Sequence, residues 1–284
     1  EKSKDRSEIL EKIKQLEKEG KFDLDVENDP ENIVLTPDNV DYLKSKRMNR
    51  WKAAFANKVG EKFLSEIIRN NKLIIKDVKG IENLANIEGG AVITCNHFNP
   101  FDSFTIEEIF SLSGQRKKKK LYKVIREGNY TNFPGLYGFF FRNCDTLPLS
   151  SNKRTMVNFM KAVDTILQKG DYILIYPEQS MWWNYRKPKP LKKGAYRFAV
   201  KSNVPIVPCF ITMQDSNIVD DDGFKVQEYT IHIEKPIYPK EGVSQGDNMD
   251  YLLEENYRIW KNIYEATYQT KLEYTTKEEV RAQM

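Results

Sequence analysis

The sequence predicts an α/β fold, with a mixed, mostly parallel sheet covered by helices and preceded by an N-terminal helical segment. From residue 72 onward, apolar runs of strand length alternate with amphipathic stretches of helix length, which is the pattern of βαβ units. Before residue 72 the apolar residues recur at helical spacing instead. A chain of 284 residues with 40% hydrophobic residues can bury the core of one large domain.

The N-terminal helical region is predicted to span residues 1–71. Residues 1–20 have the apolar spacing of a charged amphipathic helix, and residues 22–37 are polar with two prolines, which is typical of a linker. A second helical region is predicted from about residue 38 to residue 70. Residues 72–284 then form the predicted α/β domain.

Within that domain the elements are predicted in alternating order. The strand candidates are 73–78, 91–95, 121–125, 146–149, 172–176, 206–212 and 229–233. The helix candidates between them are 103–112, 153–168 and 192–202. An amphipathic stretch from 247 to about 270 predicts a C-terminal helix that belongs to the same domain.

Charge and cysteine usage narrow the class of protein. The net charge of +4 is mild, but Arg116–Lys120 is one basic block. Such a block suits nucleic acid, anionic lipid or a phosphorylated cofactor, or is a solvated loop. No nucleic-acid-binding module accompanies it, so we expect no nucleic-acid partner.

The cysteines Cys95, Cys144 and Cys209 are odd in number and lack metal-ligand spacing. We therefore expect no metal site, and a reducing, cytoplasmic compartment. No apolar run is long enough to span a membrane, and no secretory signal is recognisable.

The segment from Asn96 to Asp102 is the strongest candidate for chemistry. His97 follows the predicted strand 91–95, and Asp102 stands where the next helix begins, at the edge of the sheet where sites form in open α/β folds. A neutral imidazole held by a carboxylate can deprotonate a hydroxyl near neutral pH. The alternative is that Asp102 only caps the helix and His97 is an ordinary polar residue.

Three further segments also lie at strand ends. Residues 133–142 are rich in glycine and aromatic residues and lead into the strand 146–149. The strand 172–176 runs directly into Pro177-Glu178-Gln179-Ser180, and Val204-Pro205-Ile206-Val207-Pro208 opens another strand.

In this order, the segments resemble the glycerolipid acyltransferases of the 1-acylglycerol-3-phosphate type over about residues 74–212. Asn96, His97 and Asp102 fit the Asn-His-x-x-x-x-Asp block, and residues 204–208 fit the Val-Pro-Ile-Val-Pro block. Two blocks differ. Ser150-Ser151 stands where an arginine is usual, and Tyr176-Pro177-Glu178-Gln179-Ser180-Met181-Trp182 replaces the usual Phe-Pro-Glu-Gly-Thr-Arg-Ser.

The resemblance implies a membrane-associated O-acyltransferase. Residues 72–284 would be the acyltransferase domain. The enzyme would move an acyl group from acyl-CoA or acyl-carrier protein, as co-substrate and without a cofactor, to a lysophospholipid such as 1-acylglycerol-3-phosphate. His97 would be the general base and Asp102 would orient it. By the same resemblance, Asn96, Glu178 and Ser180 are expected to bind substrate. Arg142, Lys153 and Arg154 are added as the nearby substitutes for the missing arginine.

The expected partners are a lipid substrate, the inner face of a membrane as a peripheral surface, and acyl-carrier protein. Because the usual arginines are missing, an acceptor without a phosphate, such as a glycolipid, is the first alternative. A non-catalytic lipid-binding protein is the second. Basic residues that follow soon after the Tyr176–Trp182 block would compensate or form a solvated loop: Arg186, Lys187, Lys189, Lys192 and Lys193.

Several residues keep two interpretations at this stage. Cys95 is either a covalent acyl carrier or, as its apolar neighbours favour, an inert buried thiol. Trp182, Trp183 and Tyr185 suit a membrane interface or the core. Backbone N–H groups between Asn96 and Asn99 are candidates for the oxyanion site, and Glu178 either binds the acceptor or closes a loop. His232, on the polar side of its strand, is predicted to be a surface residue.

Overall fold

The structure, a computed structural model, describes residues 2–27 and 32–276. Part of the predicted linker, residues 28–31, lies outside the described residues, as do residue 1 and residues 277–284. The helices are α1 (Lys4–Lys18), α2 (Arg47–Arg69), α3 (Ile81–Ala85), α4 (Asp102–Leu112), α5 (Glu127–Asn132), α6 (Gly135–Asn143), α7 (Lys153–Gln168), α8 (Gly194–Ser202) and α9 (Gln245–Tyr268). The strands are β1 (Ile74–Lys79), β2 (Ala91–Thr94), β3 (Leu121–Ile125), β4 (Thr146–Pro148), β5 (Tyr172–Ile175), β6 (Ile206–Val219) and β7 (Lys225–Ile233).

The strands of the described residues form a seven-stranded sheet in the order β1-β7-β6-β2-β5-β3-β4. Neighbouring strands are parallel except β6 and β7, which are antiparallel. The predicted mixed, mostly parallel α/β sheet is therefore confirmed. β2 and β5 are fully buried central strands, which explains why their sequences are continuous apolar runs rather than alternating ones.

Helices cover both faces of this sheet. Successive side chains of a strand point to opposite faces, and Val92 and Ile173 accordingly pack in one core cluster with α7, α8 and α9. Ile93 and Leu174, one position further along each strand, pack in the other cluster with α2, α3 and α4. None of the helices in residues 2–27 and 32–276 is long and apolar enough to cross a membrane.

The glycine-rich aromatic segment 133–142 folds largely into α6, which the sequence pattern does not predict. Glycine and aromatic residues are weak helix formers, so tertiary packing must determine this local structure. Gly138 shows how close the packing is, since a Cβ at this position would lie 1.8 Å from the carbonyl oxygen of Phe133. Only glycine allows this approach.

The described part of the segment predicted as a linker, residues 22–37, packs against the domain. Phe22, Val26 and Leu35 are buried, and Phe22 stacks on Trp182 at a ring distance of 5.6 Å. Apolar residues every few positions secure the segment, although its composition is mostly polar.

Trp182 and Trp183 belong to the core, so their interpretation as membrane-interface residues is wrong. Both are buried, and the indole N–H of Trp182 donates to the carbonyl oxygen of Leu24 at 2.8 Å. Tyr185 is half-buried and packs edge-on against Trp182. An amphipathic ring finds both its apolar contact and its hydrogen bond inside the fold here.

The surface interpretation of His232 is also wrong. His232 is buried, its Nε2 lies 3.0 Å from the hydroxyl oxygen of Thr212, and Ile263 and Ala266 of α9 border the same small cavity. Burial, together with the nearby charge of Lys79, lowers the pKa of His232 to about 4.

This burial predicts a pH-dependent loss of stability. Between pH 6.5 and 4, His232 binds a proton in the unfolded chain but stays neutral in the folded chain. The free energy of unfolding therefore falls as the pH falls through this window. We expect the wild type to lose about 2 kcal/mol more than His232→Gln between pH 7.5 and 5, measured by urea unfolding. Thr267→Ser, which borders the same cavity and changes no titratable group, is the control and should retain the wild-type pH dependence. Equal losses in wild type and His232→Gln would contradict the prediction.

Candidate active site

Three neighbouring parallel strands bring their following loops to one edge of the sheet. β2 pairs with β5, and β5 pairs with β3. Their carboxyl ends lead into His97, Glu178 and Arg126 respectively. In open α/β sheets this edge is where ligands bind.

His97 and Asp102 form a hydrogen-bonded pair at this edge. The Nδ1 atom of His97 lies 2.7 Å from Oδ2 of Asp102. The backbone N–H groups of Phe98 and Asn99 donate to the same oxygen at 3.0 and 3.3 Å. Asp102 is buried and is the first residue of α4, where the helix dipole favours a negative charge. The carboxylate is thus fixed from several directions.

The ring of His97 is held as firmly as the carboxylate. Tyr176 stacks on it with ring centroids 4.0 Å apart and planes inclined by 18°, and the Tyr176 hydroxyl donates to Oδ1 of Asp102 at 2.7 Å. A carboxylate can only accept, so Nδ1 carries the proton and Nε2 is left as the basic nitrogen. The His97 side chain is 24% exposed and lines the cavity described below.

The cavity beside His97 has a volume of about 1180 Å³. Its apolar part lies between α2, α4 and α6 and includes Leu64, Phe104, Phe110, Tyr137, Phe140 and Phe141. Its polar part includes Arg126 and Lys192 together with the carboxylates of Asp23 and Asp25. The cavity therefore offers both an apolar wall and charged groups of both signs to a ligand that reaches His97.

Glu178 is buried and does not line this cavity. Its Oε2 accepts the backbone N–H of His97 at 3.0 Å, and its Oε1 accepts the backbone N–H of Lys189 at 2.8 Å. Burial raises the pKa of Glu178, with Lys189 acting in the opposite direction. These contacts match the loop-closing interpretation of Glu178: its carboxyl group holds the backbone on which the His97 side chain stands.

Lys189 completes this buried network. Its Nζ donates to the carbonyl oxygen of Ser180 at 2.6 Å and to the Ser180 hydroxyl at 2.7 Å, and burial lowers the pKa of Lys189 to about 8. The Ser180 hydroxyl in turn donates to the carbonyl oxygen of Phe22 at 2.7 Å. Ser180 is fully buried, so these contacts hold the protein together and leave no face for a substrate.

Asn96 is likewise engaged within the protein. Its Nδ2 donates to the carbonyl oxygen of Ile211 at 3.0 Å, and its Oδ1 accepts the N–H of Ile211 at 2.8 Å. This side chain joins the loop after β2 to β6 and is buried. The structure gives Asn96 a positioning contact rather than a place on the cavity wall.

The basic candidates Arg142, Lys153 and Arg154 lie away from the cavity wall. Arg142 donates to the carbonyl oxygen of Phe133 at 3.0 Å and so joins α6 to the preceding loop. Lys153 and Arg154 are exposed in the first turn of α7. None of the three side chains lines the cavity.

Ser150 and Ser151, which stand where the resemblance expects an arginine, bind a carboxylate instead. Their hydroxyl groups donate to Glu127 at 2.8 and 3.0 Å, and Glu127 also accepts the backbone N–H of Leu35 at 2.7 Å. The missing arginine is therefore accompanied by a carboxylate, which makes this position unsuitable for a phosphate.

Arg126 is a cavity cation that the sequence analysis missed. It follows β3 directly and lines the cavity, and its Nη2 donates to Oδ1 of Asp25 at 2.7 Å. Lys192 also lines the cavity, with its Nζ 3.5 Å from Asp23. The only signal for Arg126 in the sequence is its place at the end of a strand, because no motif surrounds it.

Most of the other basic residues between positions 186 and 193, and part of the basic block Arg116–Lys120, form ion pairs or hydrogen bonds within the protein. Lys187 pairs with Glu17, Arg186 with Asp215 and Lys193 with Asp250. In the basic block, Arg116 pairs with Glu61 and Glu107, and Lys119 donates to the carbonyl oxygens of residues 87–89. Lys117, Lys118 and Lys120 are exposed.

The structure also bears on the expected oxyanion site and on the Cys95 thiol. The N–H groups of His97, Phe98 and Asn99 donate to Glu178 and Asp102, so they are occupied rather than free for an oxyanion. Cys95 is fully buried, and burial beside Asp102 raises the pKa of its thiol well above the ordinary value. A thiol of this kind is a poor nucleophile.

Comparison with known proteins agrees with this geometry. Residues 76–212 match the family model described as Acyltransferase. Over this part of the chain, just under half of its length, the sequence is similar to the glycerolipid acyltransferases. The chain is 27% identical over 184 residues to the chloroplastic 1-acyl-sn-glycerol-3-phosphate acyltransferase BAT2 of Brassica napus. The matched residues cover 63% of this chain and 48% of that protein.

A second curated relative is the chloroplastic 1-acyl-sn-glycerol-3-phosphate acyltransferase LPAT1 of Arabidopsis thaliana. It is 28% identical over 133 residues, covering 46% of this chain and 34% of that protein. The matched part of the chain thus spans about half, or less, of the length of these relatives.

The crystal structure of the 1-acyl-sn-glycerophosphate (LPA) acyltransferase PlsC from Thermotoga maritima has a similar fold. The TM-score is 0.52 at 18% identity, covering 82% of this chain and 87% of that one. This likeness extends beyond the family match to most of the chain.

Proposed function

We propose that this chain transfers a fatty acyl group from the thioester of acyl-CoA or acyl-carrier protein to the hydroxyl group of a lysophospholipid such as 1-acylglycerol-3-phosphate. One observation carries the proposal: the His97–Asp102 pair stands on the wall of a cavity that has an apolar part and a polar part containing Arg126 and Lys192, each paired with a carboxylate. The names of the curated relatives agree with this reaction.

The chemistry follows from the basic nitrogen of His97. Nε2 takes the proton of the acceptor hydroxyl while the oxygen attacks the thioester carbonyl carbon, and Asp102 stabilises the imidazolium that forms. When the tetrahedral intermediate collapses, the carbon–sulfur bond breaks and the imidazolium returns the proton to the leaving thiolate. The acyl chain lies along the apolar wall of the cavity, and no covalent acyl-enzyme is needed.

The acceptor phosphate is assigned to Arg126, with Lys192 beside it. A guanidinium group is the side chain best suited to bind a phosphate through two parallel hydrogen bonds, and Arg126 already holds the Asp25 carboxylate, which has a similar geometry. The loss of the usual arginines keeps a glycolipid as the alternative acceptor. A non-catalytic lipid-binding protein remains the second alternative, against which the intact His97–Asp102 pair argues.

Peripheral binding at the inner face of a membrane is assigned to α2. Met48, Trp51 and Phe55 are 64–67% exposed and share one face of this helix, opposite Ala53 and Ala56, which are buried against the domain. Exposed Arg47, Lys52 and Lys58 flank the apolar face. An apolar helix face bordered by cations is the pattern of helices that lie in an anionic lipid surface.

We expect His97→Ala to reduce kcat/KM for acyl transfer by about a thousand-fold, because a general base contributes roughly this much. Asp102→Asn should also cause a large loss, since its amide cannot stabilise the imidazolium in the same way. The assay is release of the free thiol from acyl-CoA or acyl-carrier protein in the presence of 1-acylglycerol-3-phosphate. The matched control is His232→Gln, which changes the only other histidine and should keep wild-type turnover. Unchanged turnover in His97→Ala would end the proposal.

A panel of lysolipids with phosphate and with sugar headgroups tests the acceptor. Arg126→Gln should raise KM for the phosphate acceptor about ten-fold or more, since a charged hydrogen-bonded contact is lost. Asp25→Asn should lower that KM, because it removes the carboxylate that competes with the phosphate for the guanidinium group. Lys153→Gln, on the exposed start of α7, is the control. A wild type that prefers the sugar acceptor, with Arg126→Gln leaving KM unchanged, would favour the glycolipid alternative.

Co-sedimentation with anionic phospholipid vesicles at low salt tests the membrane proposal. Trp51→Ala should weaken binding roughly ten-fold, as expected when the apolar contact of one large side chain is lost. Leu112→Ala changes an exposed apolar residue at the end of α4 and should leave binding unchanged. Absence of wild-type binding at low salt, or equal binding by Trp51→Ala and wild type, would refute the assignment.

A further inference from the structure

Tyr176 touches both members of the catalytic pair with different parts of its side chain. Its ring lies nearly parallel to the imidazole of His97, with centroids 4.0 Å apart. Its hydroxyl donates to Oδ1 of Asp102 at 2.7 Å, while Oδ2 of the same carboxylate lies 2.7 Å from Nδ1 of His97. A single residue, directly after β5, therefore contacts both the base and its carboxylate partner.

The hydroxyl group is the informative part of this contact. A phenylalanine, the residue usual at this place in the resembled pattern, would provide the stacking ring without the hydrogen bond. The tyrosine adds a donor to a carboxylate that is already buried and already receives backbone N–H groups from Phe98 and Asn99. A donor on Oδ1 locks the rotation of the carboxyl group and draws negative charge away from Oδ2.

We propose that Tyr176 is a positioning residue of acyl transfer, whose hydroxyl fixes Asp102 so that Oδ2 faces His97 and whose hydrogen bond moderates how strongly Asp102 holds the imidazolium. This inference rests on the proposed function of the His97–Asp102 pair. It adds a third residue to that pair, directly after β5, which is the neighbour of the strand β2 that precedes His97.

The other ionisable groups near the pair are accounted for. Glu178 faces the backbone of His97 and is paired with Lys189. Cys95 and Tyr229 face Asp102, and burial raises the pKa of both, so that they remain neutral near neutral pH. Burial and the neighbouring Asp102 raise the pKa of Tyr176 itself well above the ordinary value. The phenol therefore stays a donor over any ordinary assay range.

The direction of the effect follows from the hydrogen bond. Without the Tyr176 hydroxyl, the charge of Asp102 is less dispersed, so it stabilises the protonated ring of His97 more strongly. The acid limb of the kcat/KM profile should then move to higher pH in Tyr176→Phe, by roughly half a unit for one hydrogen bond to a carboxylate. Looser alignment should lower kcat about three- to ten-fold, while KM stays within about two-fold because substrate contacts are untouched.

The experiment compares wild type, Tyr176→Phe and a matched control in steady-state acyl transfer as a function of pH. Tyr42→Phe is the control, because its buried hydroxyl also donates one hydrogen bond, to the carbonyl oxygen of Pro148 at 2.9 Å, away from the pair. It should leave the profile and kcat unchanged. The inference is overturned if Tyr176→Phe matches wild type, or if kcat falls with no movement of the acid limb, since that result describes a structural role only.

A second readout does not depend on activity. The chain contains two histidines, so the ¹⁵N resonances of His97 can be assigned by comparison with His232→Gln. The titration of the His97 ring should move to higher pH in Tyr176→Phe and stay in place in Tyr42→Phe. If the wild type transfers no acyl group, the proposed function fails, whereas the ring titration still decides for or against the contact proposed for Tyr176.

Discussion

The buried carboxylate of Asp102 is the constraint on which the rest of the site depends. A charge removed from water is tolerated only when donors replace the lost hydration. Asp102 finds these donors on the His97 ring, on two backbone N–H groups and on the Tyr176 hydroxyl. Because the donors come from the loop after β2 and from the end of β5, satisfying one carboxylate fixes two strand ends and the beginning of α4 relative to each other.

A second buried carboxyl group, that of Glu178, holds the backbone of the residue whose ring pairs with Asp102. Glu178 holds the backbone of His97, and the Lys189–Ser180 contacts continue this network to the carbonyl oxygen of Phe22. The N-terminal segment is thereby part of the wall of the site: Asp25 binds Arg126 at the same edge of the sheet. The position of His97 and the charge of the cavity consequently depend on residues far apart in the chain.

The parts of this arrangement that follow a local pattern could be predicted from the sequence. Continuous apolar runs predict β2 and β5, apolar periodicity predicts α7 over its full length, and a histidine after a strand with an aspartate at the next helix predicts that the two lie close. The partners of Glu178 could not be predicted, because a buried carboxyl group and a substrate ligand have the same local sequence. The burial of Trp182 and His232 depends on the N-terminal segment and on α9, which no local pattern connects to them.

The reacting half and the acceptor half of the site differ in how they depart from the family pattern. Around His97 the pattern is kept and strengthened by the tyrosine at position 176. On the acceptor side, Ser150 and Ser151 bind Glu127, so a phosphate placed there would meet a carboxylate. The cavity cation assigned to the acceptor is instead Arg126, which is adjacent to Glu127 in sequence and paired with Asp25. On the proposed function, the phosphate of an anionic acceptor displaces the Asp25 carboxylate from Arg126. The affinity for the acceptor is then set by the difference in free energy between the Arg126–phosphate contact and the Arg126–carboxylate contact.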